Sequence, residues 1–409
     1  MLYNTVLATL FLPLISHFSS RLAPAPPKDD KILNFELRHY HAVSADAHVA
    51  FSDAPPSAQL LDAPYTIRTR NISTFRPPSF QEFSRVRSLS RHGAAESLHW
   101  DEEEIPAPDV ESRQTLLLLA KMTNNAYVEP DSVEWYKLDG NWTVAYPFGW
   151  EPDADGFKGH VFATPDNGTV VLSIKGTSGG IWNGGGPTAK KDKLNDNLLF
   201  SCCCARVGWS WTPVCGCWRG DRKCHQDCLE DALMEESLFY PIGMNLYNNL
   251  TYMYPDSNIW VIGHSMGGSL ASLLGATFGP PVVAFEAPGE KLAATRLHLP
   301  SPPSTQHIIH VYNTADPIAM GTCNGVLSTC SSAGYAMETG CHLGKSIVYD
   351  TVSTLGWYVN IGNHGIVTVI NDVLGKPWPP SEQEGKEVPE AKYEKDCMDC
   401  YSWEYGDFP

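Results

Sequence analysis

Ile259-Trp260-Val261-Ile262 runs straight into Gly263-His264-Ser265-Met266-Gly267, and Gly268-Ser269-Leu270-Ala271-Ser272-Leu273-Leu274 follows without a break. The first four residues are apolar and favour a buried strand; the last seven are small or aliphatic and favour a tightly packed helix. Between them sits a G-x-S-x-G pattern. As bare letters that pattern is weak, but a strand ending where it begins and a helix starting where it ends is the setting of a nucleophile elbow. The sharp turn forces the serine backbone into a strained conformation, and glycines at 263 and 267 let strand and helix approach without a Cβ clash. Ser265 is therefore expected above the sheet at a helix N-terminus, where the local dipole favours a developing anion.

Outward from the elbow, Asn258–Ile262, Pro281–Phe285 and His307–Asn313 read as strands, with a helix over Met266–Ala276. Upstream, His160–Thr164 and Thr169–Ile174 read as strands around Pro165-Asp166-Asn167-Gly168, preceded by a helix that begins at Leu116–Ala120 and ends near Tyr127. A helical stretch over about 227–253 is expected to break near Pro241. Strands alternating with helices predict an α/β fold with a mainly parallel central sheet covered on both faces.

A serine hydroxyl needs a base, and the base needs an orienting acid, in the chain order Ser, Asp, His for this fold. Asp316 follows a strand by a short turn and precedes Pro317, which places it at the C-terminal edge of the sheet, where open α/β sites form. Asp350 and Asp372 lie in helical-looking segments and read as surface residues. For the base, His364 sits in the loop Gly362-Asn363-His364-Gly365, late in the chain. The rivals are His310, within a strand, and His342, beside Cys341. The tetrahedral intermediate needs at least two donors. One is the backbone N–H of Met266. The other is expected from the loop after Thr169–Ile174, with Thr177 first and Ser178 in reserve. That Gly-rich loop lacks the G-x-x-x-x-G-K-[ST] pattern of a phosphate site.

The 409 residues are 43% hydrophobic and carry a formal charge of −17. Such a chain has ample core and no net positive field to draw it to nucleic acid or anionic lipid. Protonation of its 14 histidines would bring the balance near −3, so acidity relieves repulsion from an anionic bilayer. No Asp, Glu, Lys or Arg occurs before Arg21, and Val6–Ile15 is mostly apolar, as in a secretory signal or an uncleaved signal anchor. Asn71, Asn141, Asn167 and Asn249 each begin a glycosylation sequon. Seven of the twelve cysteines lie between Cys202 and Cys228, three are Cys323, Cys330 and Cys341, and two are Cys397 and Cys400. An even count in dense clusters behind an apolar leader predicts disulfides in an oxidising lumen. Zinc is the rival, from the CxxC at Cys397–Cys400 and His225 between Cys224 and Cys228. No second CxxC or His pair completes a tetrahedral set, so neither metal nor cofactor is expected.

The expected organisation is a leader or anchor over 1–20, a Pro-rich stalk or wrapping segment over 21–111 and the main domain over 112–376. The cysteine-rich insert occupies 202–228 of that domain, and an acidic extension covers 377–409. The run Asp101–Glu104 reads as a solvated face.

Ile174-Lys175-Gly176-Thr177, the elbow, Phe285-Glu286-Ala287-Pro288-Gly289, Asn313-Thr314-Ala315-Asp316-Pro317-Ile318 and Asn363-His364-Gly365 occur in this order. Together they resemble the class 3 (fungal-type) lipases, a branch of the α/β-hydrolases. Within that branch, Gly184–Thr188, Leu194–Cys204 and Cys397–Cys400 are similar to the fungal autophagy-related lipases of the vacuole. The resemblance implies Ser265 as nucleophile, His364 as general base and acid, and Asp316 as its orienting acid. It implies Thr177 and Met266 as the oxyanion hole. The implied reaction is hydrolysis of acyl esters of triacylglycerol and membrane phospholipids, for lysis of autophagic bodies and multivesicular-body vesicles. The implied location is a single-pass type II protein of the endosomal pathway, with a lumenal catalytic domain delivered to the vacuole. The implied partners are lipids and vesicle bilayers. Ile181 and Trp182, directly after the expected oxyanion loop, lie near where these lipases carry a lid. Trp209, Trp211 and Trp218 of the insert either add to an interface or pack a disulfide-stapled knob. Two other readings share the motif set: a secreted carboxyl- or feruloyl-type esterase acting on soluble esters, and a non-enzymatic cysteine-rich lumenal adaptor.

Overall fold

The computed structural model describes residues 32–43, 49–53, 65–94, 96–128, 132–136, 157–177, 189–208, 211–234 and 238–408. The apolar leader, Asn141, Ser178, Ile181, Trp182 and Trp209 lie outside them. Among the described residues no helix is long and apolar enough to cross a membrane.

In chain order the strands are β1 (Ile32–Val43), β2 (Val49–Asp53), β3 (Tyr65–Arg76), β4 (Asp101–Pro108), β5 (Lys158–Ala163), β6 (Thr169–Ile174) and β7 (Lys223–His225). They continue with β8 (Asn258–His264), β9 (Val282–Phe285), β10 (Ile308–Asn313), β11 (Lys345–Tyr349), β12 (Lys392–Tyr393) and β13 (Glu404–Gly406). The large sheet runs β12-β11-β10-β9-β8-β6-β5-β1-β3-β4, with β2 paired to β1. Its centre, β6 through β11, is parallel, and antiparallel strands flank it.

The period-two alternation of each central strand divides the molecule into two cores. On β8, Ile259 and Val261 join Val170, Leu172, Leu270 and Leu274 on one face. Trp260 and Ile262 join Val171, Leu116 and Leu119 on the other. The helix Met266–Phe278 is buried along its whole length, as its small residues require. Gly275 shows why: a Cβ there would fall 2.7 Å from the Val282 side chain.

Three features depart from expectation. Strands β1, β3 and β4 lie inside the stretch 21–111 expected as a loose stalk, yet they extend the sheet. Within the described strands of this arm, prolines occur only at Pro106 and Pro108 of β4, the outermost strand, where proline is tolerated. Asp101–Glu104 is exposed, but on the edge strand β4, where charge discourages pairing with another chain. The break expected near Pro241 falls earlier, between the helices Gln226–Leu233 and Phe239–Met253. Pro241 sits in the first turn of the second helix, where its missing N–H is harmless. The polar stretch before the cysteines also holds an unforeseen helix, Ala189–Phe200.

All twelve cysteines are paired: 202–400, 203–224, 204–215, 217–228, 323–330 and 341–397. The CxxC cysteines are therefore committed to disulfides, and His225 caps a helix through Cys228 N–H. Trp218 lies under the Arg206 guanidinium at 4.3 Å, and its indole donates to Asp221 O, so this residue packs the knob. The acidic tail is pinned at both ends, β12 adding to β11 and β13 pairing with β7.

Candidate active site

Ser265 stands between β8 and the helix that follows, with φ 56° and ψ −134°. A non-glycine residue holds that conformation only when its surroundings over-determine it. Here they do: Ser265 N–H donates to Phe285 O at 3.0 Å, and Ser265 O accepts from Gly268 N and Ser269 N. A Cβ on Gly263 would fall 2.3 Å from Gly267 O, and one on Gly267 would fall 2.4 Å from Ile174 O. Both glycines are required by close approach, as their spacing predicts.

Three predicted residues meet. His364 Nε2 lies 2.8 Å from Ser265 Oγ, and His364 Nδ1 lies 2.7 Å from Asp316 Oδ2. A carboxylate can only accept, so Nδ1 carries the proton and Nε2 is free to take one from the serine. Asp316 Oδ1 accepts from Ile318 N–H at 2.8 Å, which fixes the carboxylate. Asn313, at the end of β10, donates its amide to Asn363 O at 3.0 Å and so ties the Asp316 turn to the His364 loop. The rivals are placed elsewhere: His310 pairs with buried Glu290, and His342 with Glu394.

A second carboxyl that the sequence reading passed over lies behind the first. Glu286, buried and following β9, accepts from Asn313 N–H and Nδ2 and hydrogen-bonds to Asp316. Burial and the Asp316 charge push its pKa well above the ordinary carboxyl value. Burial also works to raise Asp316, but the charge and hydrogen bond of His364, with help from Glu286, hold it below. Environment thus separates the two: Glu286 keeps a proton and Asp316 does not.

Gly176 backs onto Ser265, since a Cβ on it would fall 3.0 Å from Ser265 Cβ. Thr177 follows, with its Oγ1 2.6 Å from Asp196 Oδ2. Asp196 comes from the unforeseen helix and is buried. Burial first, then Asp192, push its pKa up to about 8 against the lowering effect of Thr177. A third missed group is Tyr127. Gly176 N–H donates to its hydroxyl oxygen at 3.0 Å, and its hydroxyl meets His264 Nδ1 at 2.7 Å.

Ser265 opens into a cavity of about 340 Å³ whose walls include Thr177, Ile318, Tyr335, Met337, Ile361 and Val367. Apart from the triad end, this wall is mostly apolar, which suits a hydrocarbon chain rather than a polar substrate.

A parallel sheet with a serine elbow on its central strand, and an acid and a histidine on later loops, is the α/β-hydrolase fold of the class 3 lipases. The family model described as Lipase (class 3) matches residues 210–320, which include the elbow and Asp316 but stop before His364. "Putative lipase ATG15" of Cryptococcus neoformans var. neoformans serotype D (strain B-3501A) is 49% identical over 367 residues, covering 76% of this chain and 70% of that one. The protein of the same name from Mycosarcoma maydis is 42% identical over 420 residues, covering 88% and 80%. This chain belongs to the ATG15 family of class 3 lipases. The crystal structure of Lip2 lipase from Yarrowia lipolytica overlaps 57% of this chain and 76% of that one, at 16% identity and a TM-score of 0.27. So loose an overlap carries no argument, and the fold stands on strand order and the elbow.

Proposed function

We propose that this lipase cleaves acyl esters of triacylglycerol and membrane phospholipids through Ser265, His364 and Asp316. His364 Nε2 takes the Ser265 proton as Oγ attacks the ester carbonyl, and Asp316 stabilises the imidazolium that forms. The oxyanion is met by Met266 N–H, at the first turn of the elbow helix, and by Thr177. His364 then protonates the leaving alcohol, and water repeats the cycle on the acyl-enzyme. The observation that carries this reading is the unbroken chain from Ser265 Oγ to His364 to Asp316, at 2.8 and 2.7 Å, at the mouth of an apolar cavity.

The substrate is a bilayer, and the place of action is the vacuole, where autophagic bodies and multivesicular-body vesicles are lysed. The relatives' name and the motif resemblance support this context, as does the full pairing of the cysteines, which needs an oxidising lumen. N-glycans at Asn71, Asn167 and Asn249, all exposed, belong to the same reading.

The test is incubation of the purified protein and Ser265→Ala with vesicles of phosphatidylcholine and triacylglycerol at pH 5. Wild type releases fatty acid, and Ser265→Ala is slower by about 10⁶-fold, the scale for loss of a triad nucleophile. Release by the variant at the wild-type rate refutes the assignment. Hydrolysis of a soluble short-chain ester but of no vesicle lipid refutes the substrate.

A further inference from the structure

Ser265 is not alone in the site in holding a backbone that its residue type resists. Glu286, just past the end of the neighbouring strand β9, stands at φ 45°, in the left-handed region that favours glycine. Its side chain is fully buried, as is that of Asp316. Its N–H donates to Val311 O at 3.0 Å, which ties it to β10. A left-handed backbone and a buried acid both cost stability, and here they occur together at the residue whose carboxyl meets Asp316.

Two carboxyl groups in hydrogen-bond contact need a proton between them, because a carboxylate only accepts. Their other partners decide which one carries it. Asp316 receives His364 Nδ1–H at 2.7 Å on one oxygen and Ile318 N–H at 2.8 Å on the other. The Glu286 carboxyl receives Asn313 alone among the described residues, through its backbone and side-chain N–H groups at 3.1 and 3.0 Å. The charge therefore rests on Asp316, and Glu286 is the donor.

This matters in acid. Asp316 favours the charged imidazole, and it does so less as more of its charge is taken up by other donors. A general base must be neutral to take the Ser265 proton, so a carboxylate left to His364 alone would close the site down as the medium acidifies.

We propose that Glu286 is a positioning residue that sets the working pH range of the triad. As a neutral acid donating to Asp316, it weakens the hold of Asp316 on the imidazolium and keeps His364 available as a base in an acidic lumen. This rests on the lipase reading and adds to it the group that fits the site to acid.

The other titratable groups around the pair keep their charge state across the acid limb. The His264 ring lies 4.8 Å from that of His364, and burial first, then His364, lower its pKa to about 3. Tyr127, which meets His264, is pushed up by burial. Tyr312, on β10, is pushed up by burial and by Glu394. Burial works to raise Glu394 itself, but His342 holds it at about 2.

The experiment is the pH profile of kcat/KM on a soluble short-chain ester, which reports the free enzyme. Wild type, Glu286→Gln, Glu286→Leu and Glu286→Met are compared, each profile normalised to its own plateau. Normalising removes any loss of folded protein, so a residue that only fills space moves nothing. Glu286→Gln keeps a neutral donor and leaves the acid limb within about 0.3 pH units of wild type. Glu286→Leu keeps the bulk without the donor, so the limb moves up by about one pH unit and the normalised rate on it falls about tenfold. Glu286→Met fills the space with a different shape and gives the same rise, so the result does not hang on one variant folding. An unmoved limb in the leucine and methionine variants overturns the proposal, since Glu286 would then serve the fold alone. A limb that moves down in all three variants also overturns it, because that is the sign of removing a negative charge from beside the imidazole. Wild-type protein that hydrolyses no ester at any pH refutes the lipase reading and this one with it, whereas an active enzyme whose limb ignores Glu286 refutes this one alone.

Discussion

His264 Nε2 donates to the backbone carbonyl of His364 at 2.7 Å, so the residue before Ser265 holds the His364 loop. Its other nitrogen accepts from Tyr127, whose hydroxyl in turn accepts from Gly176 N–H. One directional chain thus links the Gly176 loop after β6, the elbow and the His364 loop. It holds in acid, because burial first, and then His364, lower the His264 pKa to about 3. The chain fixes positions without taking part in bond making. Tyr127→Phe should therefore lower kcat by about tenfold, the cost of one orphaned buried hydrogen bond, and leave KM almost unchanged. Steady-state kinetics on a soluble ester check this, and a rise in KM at constant kcat would contradict it.

Asp196 carries a second prediction, in alkali. Thr177 Oγ1 donates to Asp196 Oδ2, and the oxyanion role proposed for Thr177 requires that bond to reverse below about pH 8, where a protonated Asp196 carboxyl donates and frees the Thr177 hydrogen. Above that value the carboxylate accepts, and Thr177 turns its hydrogen away. The sign is that kcat falls as pH rises through about 8. Asp196→Asn, whose amide donates at every pH, should remove this limb from the kcat–pH profile. A limb of unchanged position in the variant would count against it.

Glu286 should behave as a neutral acid. Glu286→Gln keeps the hydrogen bond to Asp316 and adds no charge, so activity should stay within about threefold of wild type. Glu286→Ala leaves Asn313 without an acceptor and opens a buried gap, at a cost of about 2–4 kcal/mol in stability. Thermal unfolding and ester turnover of the two variants separate these outcomes; equal damage from both would show that Glu286 works ionised.

The elbow was legible because its constraints are local. The strand, two glycines and a small-residue helix are contiguous, and each predicts the same close approach. Asp316 and His364 were legible from chain order plus one local cue each, Pro317 after the acid and glycines around the base. Tyr127, Asp196 and Glu286 were not, because what makes them matter lies far along the chain: Tyr127 meets His264, Asp196 meets Thr177 from a helix with no clear apolar stripe, and Glu286 meets Asp316. The stalk reading of the N-terminal arm had a signal against it. In β3, Ile67 and Thr69 face inward while Arg68 faces solvent, a period of two that the surrounding prolines obscured.

The acidic tail is joined to the sheet through His342 and Glu394, and this pair should set where the protein is most stable. His342 Nδ1 and Glu394 Oε1 are 2.6 Å apart, and Glu394 also accepts from Tyr312 and Ser346. Glu290, His310 and Asp399 are the other titratable groups near the pair. Burial opposes both charges, yet the Glu394 hydrogen bond and the nearby carboxylates raise the His342 pKa. The same partnership lowers Glu394 to about 2 despite its burial. The lowered carboxyl contributes stability above its unfolded value of about 4.3, and this is lost as pH falls toward 2. The raised imidazole contributes fully below its unfolded value of about 6.5, and this is lost as pH rises through its folded value. Both contributions coincide only between about pH 4.3 and 6.5, so the melting temperature should peak in that window. Glu394→Gln removes both and should flatten the peak, lowering Tm most near pH 5 and least at pH 9. A variant whose Tm falls equally at every pH would show that the tail is held by its strand pairing and disulfides alone.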